Sequence, residues 1–473
     1  MSTELEVYSG KLIYKNIEFD FVFDGKKLRL IPPKNRINKV LLWNGEKLAN
    51  GTTKIIPSIN YLETDYLKGI INETGQTIIF IPDYLPLGSY QFSIIVVSIK
   101  AFALFNTINI NFNQLSFESQ EIDYIFHICD AIDNVEWNDN GVFCIKTKTF
   151  EETTSDRQVF FVDGHSVSVH FGITRNAAIS SNNNPPLLFH SSMVFEFEST
   201  SDILFIIRLW NIAKKFIQYL CYRKNIFIPT INISAPYDDH NLKISTMFII
   251  DEASQAEEEL IGKGKYISQK YIAGYEGKIL NDIAADKLYN RHIPESSSAS
   301  NHYNAARFVM ITAAFEWEFR KSHPNGVERS SASINAENKA TEVLNQLINS
   351  STGKLKSIYK RLLSNIRFDN LQSEIMQTGK DLLDNLMSDI GNYLYSISNS
   401  KLNYNEMGER ISKQRNNFAH GNLDMDIIDL SLLDLMFLER VIYAMQLNYW
   451  GIPSHNIRHI INDLFNMRLV LSD

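Results

Sequence analysis

The sequence predicts an α+β chain of more than one domain: a β-rich N-terminal domain, sandwich or barrel-like, followed by an all-α helical bundle. Three observations carry this. Up to about residue 250, short apolar runs recur between Asp-Gly and Asn-Gly dipeptides; beyond residue 300 the apolar spacing becomes helical almost without a break; and 473 residues exceed what one ordinary hydrophobic core organises.

The β half is read from its hairpins. Phe21-Val22-Phe23 precedes Asp24-Gly25, Val40 to Trp43 precedes Asn44-Gly45, and Val159 to Val162 precedes Asp163-Gly164. Asp-Gly and Asn-Gly supply the positive φ angles that two-residue hairpin turns need. Further strands are expected at Thr77 to Ile81, Tyr90 to Val97, Met193 to Phe197, Ile226 to Ile233 and Leu242 to Ile250. One helix interrupts them over Asp202 to Tyr222, where Leu204, Ile207, Ile212, Phe216 and Leu220 mark one face and Ser201-Asp202 offers a cap. The expected domains are 1–250, a transition over 251–300, and a bundle over 301–473. The transition holds a helix around Ile279 to Tyr289 and ends in Ser296 to Ser300, the best linker candidate by composition. Helices follow at Ala305 to Phe319, Glu337 to Ile348, Leu355 to Leu363, Leu371 to Ile397, Asn405 to His420, Ile427 to Trp450 and Asn456 to Phe465. Their short connections imply antiparallel neighbours.

Composition narrows the function classes. Hydrophobic residues are 44% and charged residues 21% of the chain, with a formal net charge of −8. That balance argues against a surface that grips nucleic acid everywhere, while leaving room for a local basic cleft. Cys129, Cys144 and Cys221 are too scattered for a disulfide framework or a Cys-x-x-Cys metal site. With no signal peptide at Met1 and no apolar run long enough to span a bilayer, a cytoplasmic protein without a membrane partner is expected. No cofactor and no metal site is expected. Gly164-His165-Ser166-Val167-Ser168 lacks the closing Gly of a nucleophile elbow, and Gly262-Lys263-Gly264-Lys265 lacks Walker spacing. His165 and His170 lie five apart on one strand and so face opposite ways.

The segment Arg415-Asn416-Asn417-Phe418-Ala419-His420 carries the most chemistry. Arginine is permanently charged and binds phosphate bidentately; histidine titrates near neutrality and moves protons. The pair suits metal-free RNA cleavage, with the imidazole serving the ribose 2′-hydroxyl or the leaving 5′-oxygen and the guanidinium the charge on phosphate. Asn416 and His420 are four apart on one helix face, and Gly421 is a natural stop that places His420 at the helix end. An Arg and a His at this spacing also arise by chance, and a histidine on a helix is more often structural. Arg410 and Lys413 on the same helix, with Lys354, Lys356, Lys360 and Arg361 on another, would favour RNA, or simply form solvated faces. Glu316 and Glu318 could orient His420 or be ordinary exposed carboxylates.

In this setting, a β-rich region, a helical bundle, Arg-Asn-x-x-Ala-His-Gly late in it and an apolar helix after it, the chain resembles the ApeA-like HEPN proteins. The resemblance is carried by the motif over about residues 300–473 and is looser over 1–240. It implies that Arg415, Asn416 and His420 are catalytic residues of a metal-independent endoribonuclease. It further implies an RNA substrate (tRNA among the candidates), a homodimer or higher oligomer with a composite site, and anti-phage defence by abortive infection. The N-terminal domain would then sense or regulate, answering to a phage-derived trigger. The alternative is a non-catalytic HEPN-type module for RNA or protein binding or for dimerisation.

Overall fold

The computed structural model describes residues 7–41, 43, 45–47, 53–55, 62–83, 89–91, 94–107, 110–137, 141, 143–177, 187–238, 240–250, 265–366, 369–383, 386–420, 426–427 and 430–471. The chain is α+β and divides into two compact units, Met1–Ile261 with Ser268–Ala285, and Gly262–Ile267 with Asp286–Asp473.

The first unit opens with β1 (Tyr8–Tyr14), β2 (Ile17–Phe23) and β3 (Lys27–Ile31), then a short helix α1 (Ile37–Leu41) and a small separate pair, β4 (Gly45–Lys47) with β5 (Thr53–Ile55). The strands β6 (Leu67–Ile71), β7 (Thr77–Pro82), β8 (Ser89–Gln91) and the long β9 (Ile94–Phe105) follow. All pair antiparallel, and the order β9-β3-β2-β1-β6-β7 returns to β9, closing a six-stranded barrel. Alternation explains the closure: Phe19, Phe21 and Phe23 on β2 and Leu28 and Leu30 on β3 point inward, with Asp20, Val22 and Arg29 between them. Phe80 meets Phe21 and Phe23 edge-on at 5.4 and 5.1 Å.

Because β9 is twelve residues long, its second half also pairs with β17 (His240–Ile249). This carries the sheet on through β16 (Thr230–Tyr237), β10 (Phe112–Glu118), β15 (Leu187–Thr200), β14 (His165–Ala177) and β13 (Gln158–Val162). The hairpin β11 (Ile132–Trp137) with β12 (Phe143–Thr147) stands apart. Four helices complete the unit: α2 (Gln120–Ile125), α3 (Ile203–Cys221), α4 (Gln269–Ile272) and α5 (Glu276–Ala284). Asp202 caps α3 as expected, accepting from Leu204 N, and Phe205, Leu209, Phe216 and Leu220 on α3 are buried. The turn at Asp163-Gly164 has φ of 50° and 84°, the hairpin that the dipeptide predicts.

The second unit is helical: α6 (Ala305–Ser322), α7 (Ser331–Ser350), α8 (Gly353–Asn365), α9 (Leu371–Thr378), α10 (Ser388–Ser396), α11 (Tyr404–Ala419), α12 (Ser431–Tyr449) and α13 (Ser454–Leu464). Helix α12 is buried nearly all round and is the axis on which α6, α10, α11 and α13 pack. The α7–α8 hairpin packs mainly on itself and leaves Leu355, Ile358 and Leu362 half exposed.

Four expectations need correction. Val40 belongs to α1 and is not in a strand, its side chain closing the barrel core. Strand β16 begins at Thr230 and not at Ile226, although Ile226 and Ile228 are buried. The stretch from Leu371 to Ile397 is broken after Thr378 by a wider π-type turn over Gly379–Leu383. Finally, Ser296 to Ser300 is no linker: Ser297 is buried, and Arg307 Nη1 donates to the carbonyls of Ala299, Ser300 and His302 while Nη2 binds Glu439 Oε1 at 2.7 Å. A serine-rich run lacks side chains to bury, but its backbone carbonyls are acceptors that a buried guanidinium needs.

Candidate functional site

Helices α6, α9 and α11 surround a cavity of about 570 Å³. Helix α6 lines it with Glu316, Phe319 and Arg320, and His323, which ends the helix, continues the same three-and-four spacing. From α11 come Ser412, Arg415 and Asn416, and the start of α9 supplies Leu371 and Glu374 with Asp369 and Asn370 before it. Two local features hold these walls close. Gly408 lets α11 approach α9, since a Cβ there would lie 3.0 Å from the Gln372 Cα. Gly326, at φ 77°, turns the loop after α6 against Asp369, whose Oδ2 accepts from Val327 N at 2.9 Å.

The predicted motif is only partly gathered here. Arg415 lines the cavity and its Nη2 binds Glu316 Oε2 at 3.2 Å, with side chains 35% and 17% exposed. Asn416 is exposed and also lines it. His420 does not line the cavity: it is exposed, caps the C-terminus of α11 and donates its N–H to Asn416 O at 3.1 Å. Gly421 lies outside the described residues. Nor do the expected RNA contacts converge on the cavity. Arg410 is committed to the bundle, with Nε and Nη2 bound to the buried Asp434 carboxylate at 2.7 and 2.9 Å, bonds that hold its own pKa high. Lys413 is exposed on α11, and Lys360 and Arg361 are exposed on α8. The view of Glu316 and Glu318 as exposed is corrected. Glu316 holds Arg415, and the buried Glu318 accepts from Gln446 Nε2 at 3.0 Å.

The cavity contains groups that motif reading does not single out. Glu374 is 5% exposed, and its Oε2 has no hydrogen-bond partner among the described residues. Burial, with Glu316 and Asp369 nearby, pushes its pKa up to about 7 against the pull of Arg320 and Arg415. Ser412 Oγ is likewise buried without a partner among the described residues. Arg320 is exposed, and its guanidinium makes no hydrogen bond or ion pair among the described residues. His323 stacks on Phe319 with ring centroids 4.4 Å apart, and its Nε2 lies 3.1 Å from Asp381 Oδ2. Burial raises the Asp381 carboxyl, but bonds from Gln377 and His323 bring it below the usual range. One sequence signal existed for Glu374: it sits between Leu371 and Ile375 on the apolar face of a helix, where a carboxylate is out of place.

Among the described residues no group of three His, Cys, Asp or Glu side chains is arranged to hold a metal ion, and no helix is long and apolar enough to cross a membrane. Comparison of the chain with protein-family models, curated proteins and solved structures finds no match.

Proposed function

We propose that the chain is a metal-independent endoribonuclease of the HEPN type. In this reading the 2′-hydroxyl attacks the adjacent phosphodiester, the P–O5′ bond breaks, and a 2′,3′-cyclic phosphate and a 5′-hydroxyl result. His420 moves a proton between 2′-oxygen, solvent and 5′-oxygen, Arg415 neutralises charge on the phosphate, and Asn416 hydrogen-bonds it. The observation that carries the reading is the placement of Arg415. Its guanidinium is half open, held by Glu316, at a cavity that also contains the unbonded Arg320, and His420 stands about one turn beyond it on the same helix. A metal-free site needs a fixed cation beside a mobile proton carrier, and α11 supports that pairing. On this reading the β-rich unit regulates the nuclease in anti-phage defence by abortive infection, answering to a phage-derived trigger, and the active species is a homodimer with RNA as substrate.

The placement of His420 outside the cavity favours one second reading, a non-catalytic RNA- or protein-binding module in which Arg415 serves only to pair with Glu316. The two separate by experiment. Arg415→Ala and His420→Ala should each lower RNA cleavage by roughly 100-fold or more and abolish toxicity in cells. His420→Ala should leave thermal melting unchanged because the side chain is exposed. Unaltered cleavage in both variants, or cleavage abolished by EDTA, sinks the nuclease reading. Full activity in a strict monomer by analytical ultracentrifugation sinks the composite site.

A further inference from the structure

The cavity between α6, α9 and α11 has a chemical polarity. Its most buried ionisable group is an acid, Glu374, while both of its arginines are more open: Arg415 keeps 35% of its side chain exposed and Arg320 faces solvent. The other two carboxylates are already engaged. Glu316 binds Arg415 at 3.2 Å, and Asp369 accepts from Arg329 Nη2 at 2.6 Å and from Val327 N. That leaves one buried carboxylate oxygen on α9, Glu374 Oε2, and one buried hydroxyl on α11, Ser412 Oγ, without a hydrogen-bond partner among the described residues. Buried polar atoms are almost always paired, so these two atoms lining one cavity are available to a bound molecule that brings its own hydrogen-bond donors. The His323 ring, fixed by its stack on Phe319 and by Asp381, gives the wall a flat surface with 22% of the side chain exposed.

A molecule with donors at its inner end, a planar body and a negative outer end fits this sequence of groups. From these features we infer that the cavity binds one nucleotide of the RNA strand with its base inward: guanine on Glu374, the ring along His323, the phosphate at Arg320 and Arg415. Guanine is the base whose pairing edge offers two adjacent donors, the imino N1–H and the amino N2–H, to the two oxygens of a carboxylate. Adenine and cytosine offer an acceptor beside their amino group, and uracil offers one imino donor between two carbonyls. The raised pKa of Glu374 fits the same role, since donors from a ligand would replace the solvation that burial removes. The inference rests on the reading of the chain as an RNA-acting protein and adds to it a preference for cleavage next to guanosine.

Binding tests it separately from cleavage. The full chain is titrated with guanosine, adenosine, cytidine and uridine 3′-monophosphates, which carry no cleavable bond, by calorimetry or by chemical-shift changes. Guanosine monophosphate should bind about tenfold or more tightly than the other three, the scale of discrimination that a two-point base contact gives. Glu374→Gln, which keeps the shape but leaves one acceptor, should erase that preference. Arg320→Ala should weaken all four nucleotides alike. Equal binding of the four to the wild-type chain overturns the inference, as does a preference unchanged in Glu374→Gln. Absence of nucleotide binding while arginine or spermidine binds also overturns it, because the buried acid would then receive a cationic head. Should Glu374→Gln fail to fold, Ser412→Trp fills the same cavity from another helix and must abolish the wild-type preference. Guanine-selective binding in a chain that cuts no RNA leaves the guanine site standing and overturns the ribonuclease, and with it the cleavage preference; base-blind cleavage with base-blind binding does the reverse.

Discussion

At the scale of single residues, the burial of Glu374 predicts a pH-dependent contribution to stability. Its neighbours across the cavity are Glu316 and Arg320 on α6, His323 at its end, Asp369 before α9, and Arg415 on α11. The carboxyl is pushed from 4.5 up to about 7 in the folded state. A raised folded pKa means that the folded chain holds this proton more tightly than the unfolded chain. Its contribution is therefore fully present below about pH 4.5 and is lost as pH rises through 7. Glu374→Gln, which mimics the protonated form, should change stability by less than about 1 kcal/mol near pH 5. Above pH 8 it should gain up to about 3 kcal/mol, from a shift of that size. Denaturant melts of wild type and variant at pH 5 and pH 8.5 measure the difference, and an equal gap at both pH values contradicts the burial argument. This residue also shows how far the site was legible. Arg415 and Asn416 were readable because their side-chain chemistry is visible in sequence. Arg320 and His323 were not, and Glu374 only as a carboxylate out of place on an apolar helix face, because what joins them is a shared cavity among three helices separated by up to about a hundred residues. Arg410 misled for the same reason: a guanidinium advertises phosphate binding until a buried Asp434 from another helix is found to hold it.

At the scale of elements, the α9–α11 seam positions the cavity, and its closeness depends on Gly408. A Val at this position would press on the Gln372 backbone at 3.0 Å and, as overpacking generally does, cost roughly 2–3 kcal/mol. It should also weaken nucleotide binding, since Ser412 lies one turn along the same helix. A second prediction concerns how α11 is anchored to α12. Asp434 has a fully buried side chain, accepts two bonds from Arg410 and a third from the Tyr395 hydroxyl. Asp434→Ala strands both partners and should cost about 3 kcal/mol, the low end for a broken buried pair because Arg410 keeps 24% of its side chain in contact with solvent. Thermal melts check this, and a loss under about 1 kcal/mol would show that the network is incidental. Helix periodicity located α6, α8, α11, α12 and α13 to within a few residues because each has a face to bury. It joined Leu371 to Ile397 into one helix because the break at Gly379 conserves the apolar spacing on either side. The Cβ that a residue other than glycine would place at Gly379 meets the Tyr404 ring at 2.6 Å, a packing constraint that no local pattern records.

At the scale of the whole molecule, the chain changes unit twice between residues 265 and 286: 265–267 belong with the helical unit, Ser268–Ala285 with the β-rich one, and Asp286 onward with the helical unit again. Composition placed the boundary at the serine run because serine buries little, yet the helical unit begins before it. Leu288 and Ile293 are buried, His292 is 1% exposed, and the carbonyls of Ala299, Ser300 and His302 are taken by Arg307. A fragment starting at residue 301 therefore loses part of its own core and leaves Arg307, Glu439 and Tyr303 as a buried cluster with an open side. A fragment starting at residue 286 keeps them. Burying Leu288 and Ile293 is worth roughly 2 kcal/mol each, and for a unit of this size that corresponds to a difference on the order of 10 °C in melting temperature. Far-UV circular dichroism melts of the 286–473 and 301–473 fragments decide the matter. If the shorter one melts at the same temperature, residues 286–300 are a tether after all. If it melts well below, the serine-rich stretch is part of the scaffold that carries α6, and with it Glu316, Arg320 and His323, into the cavity.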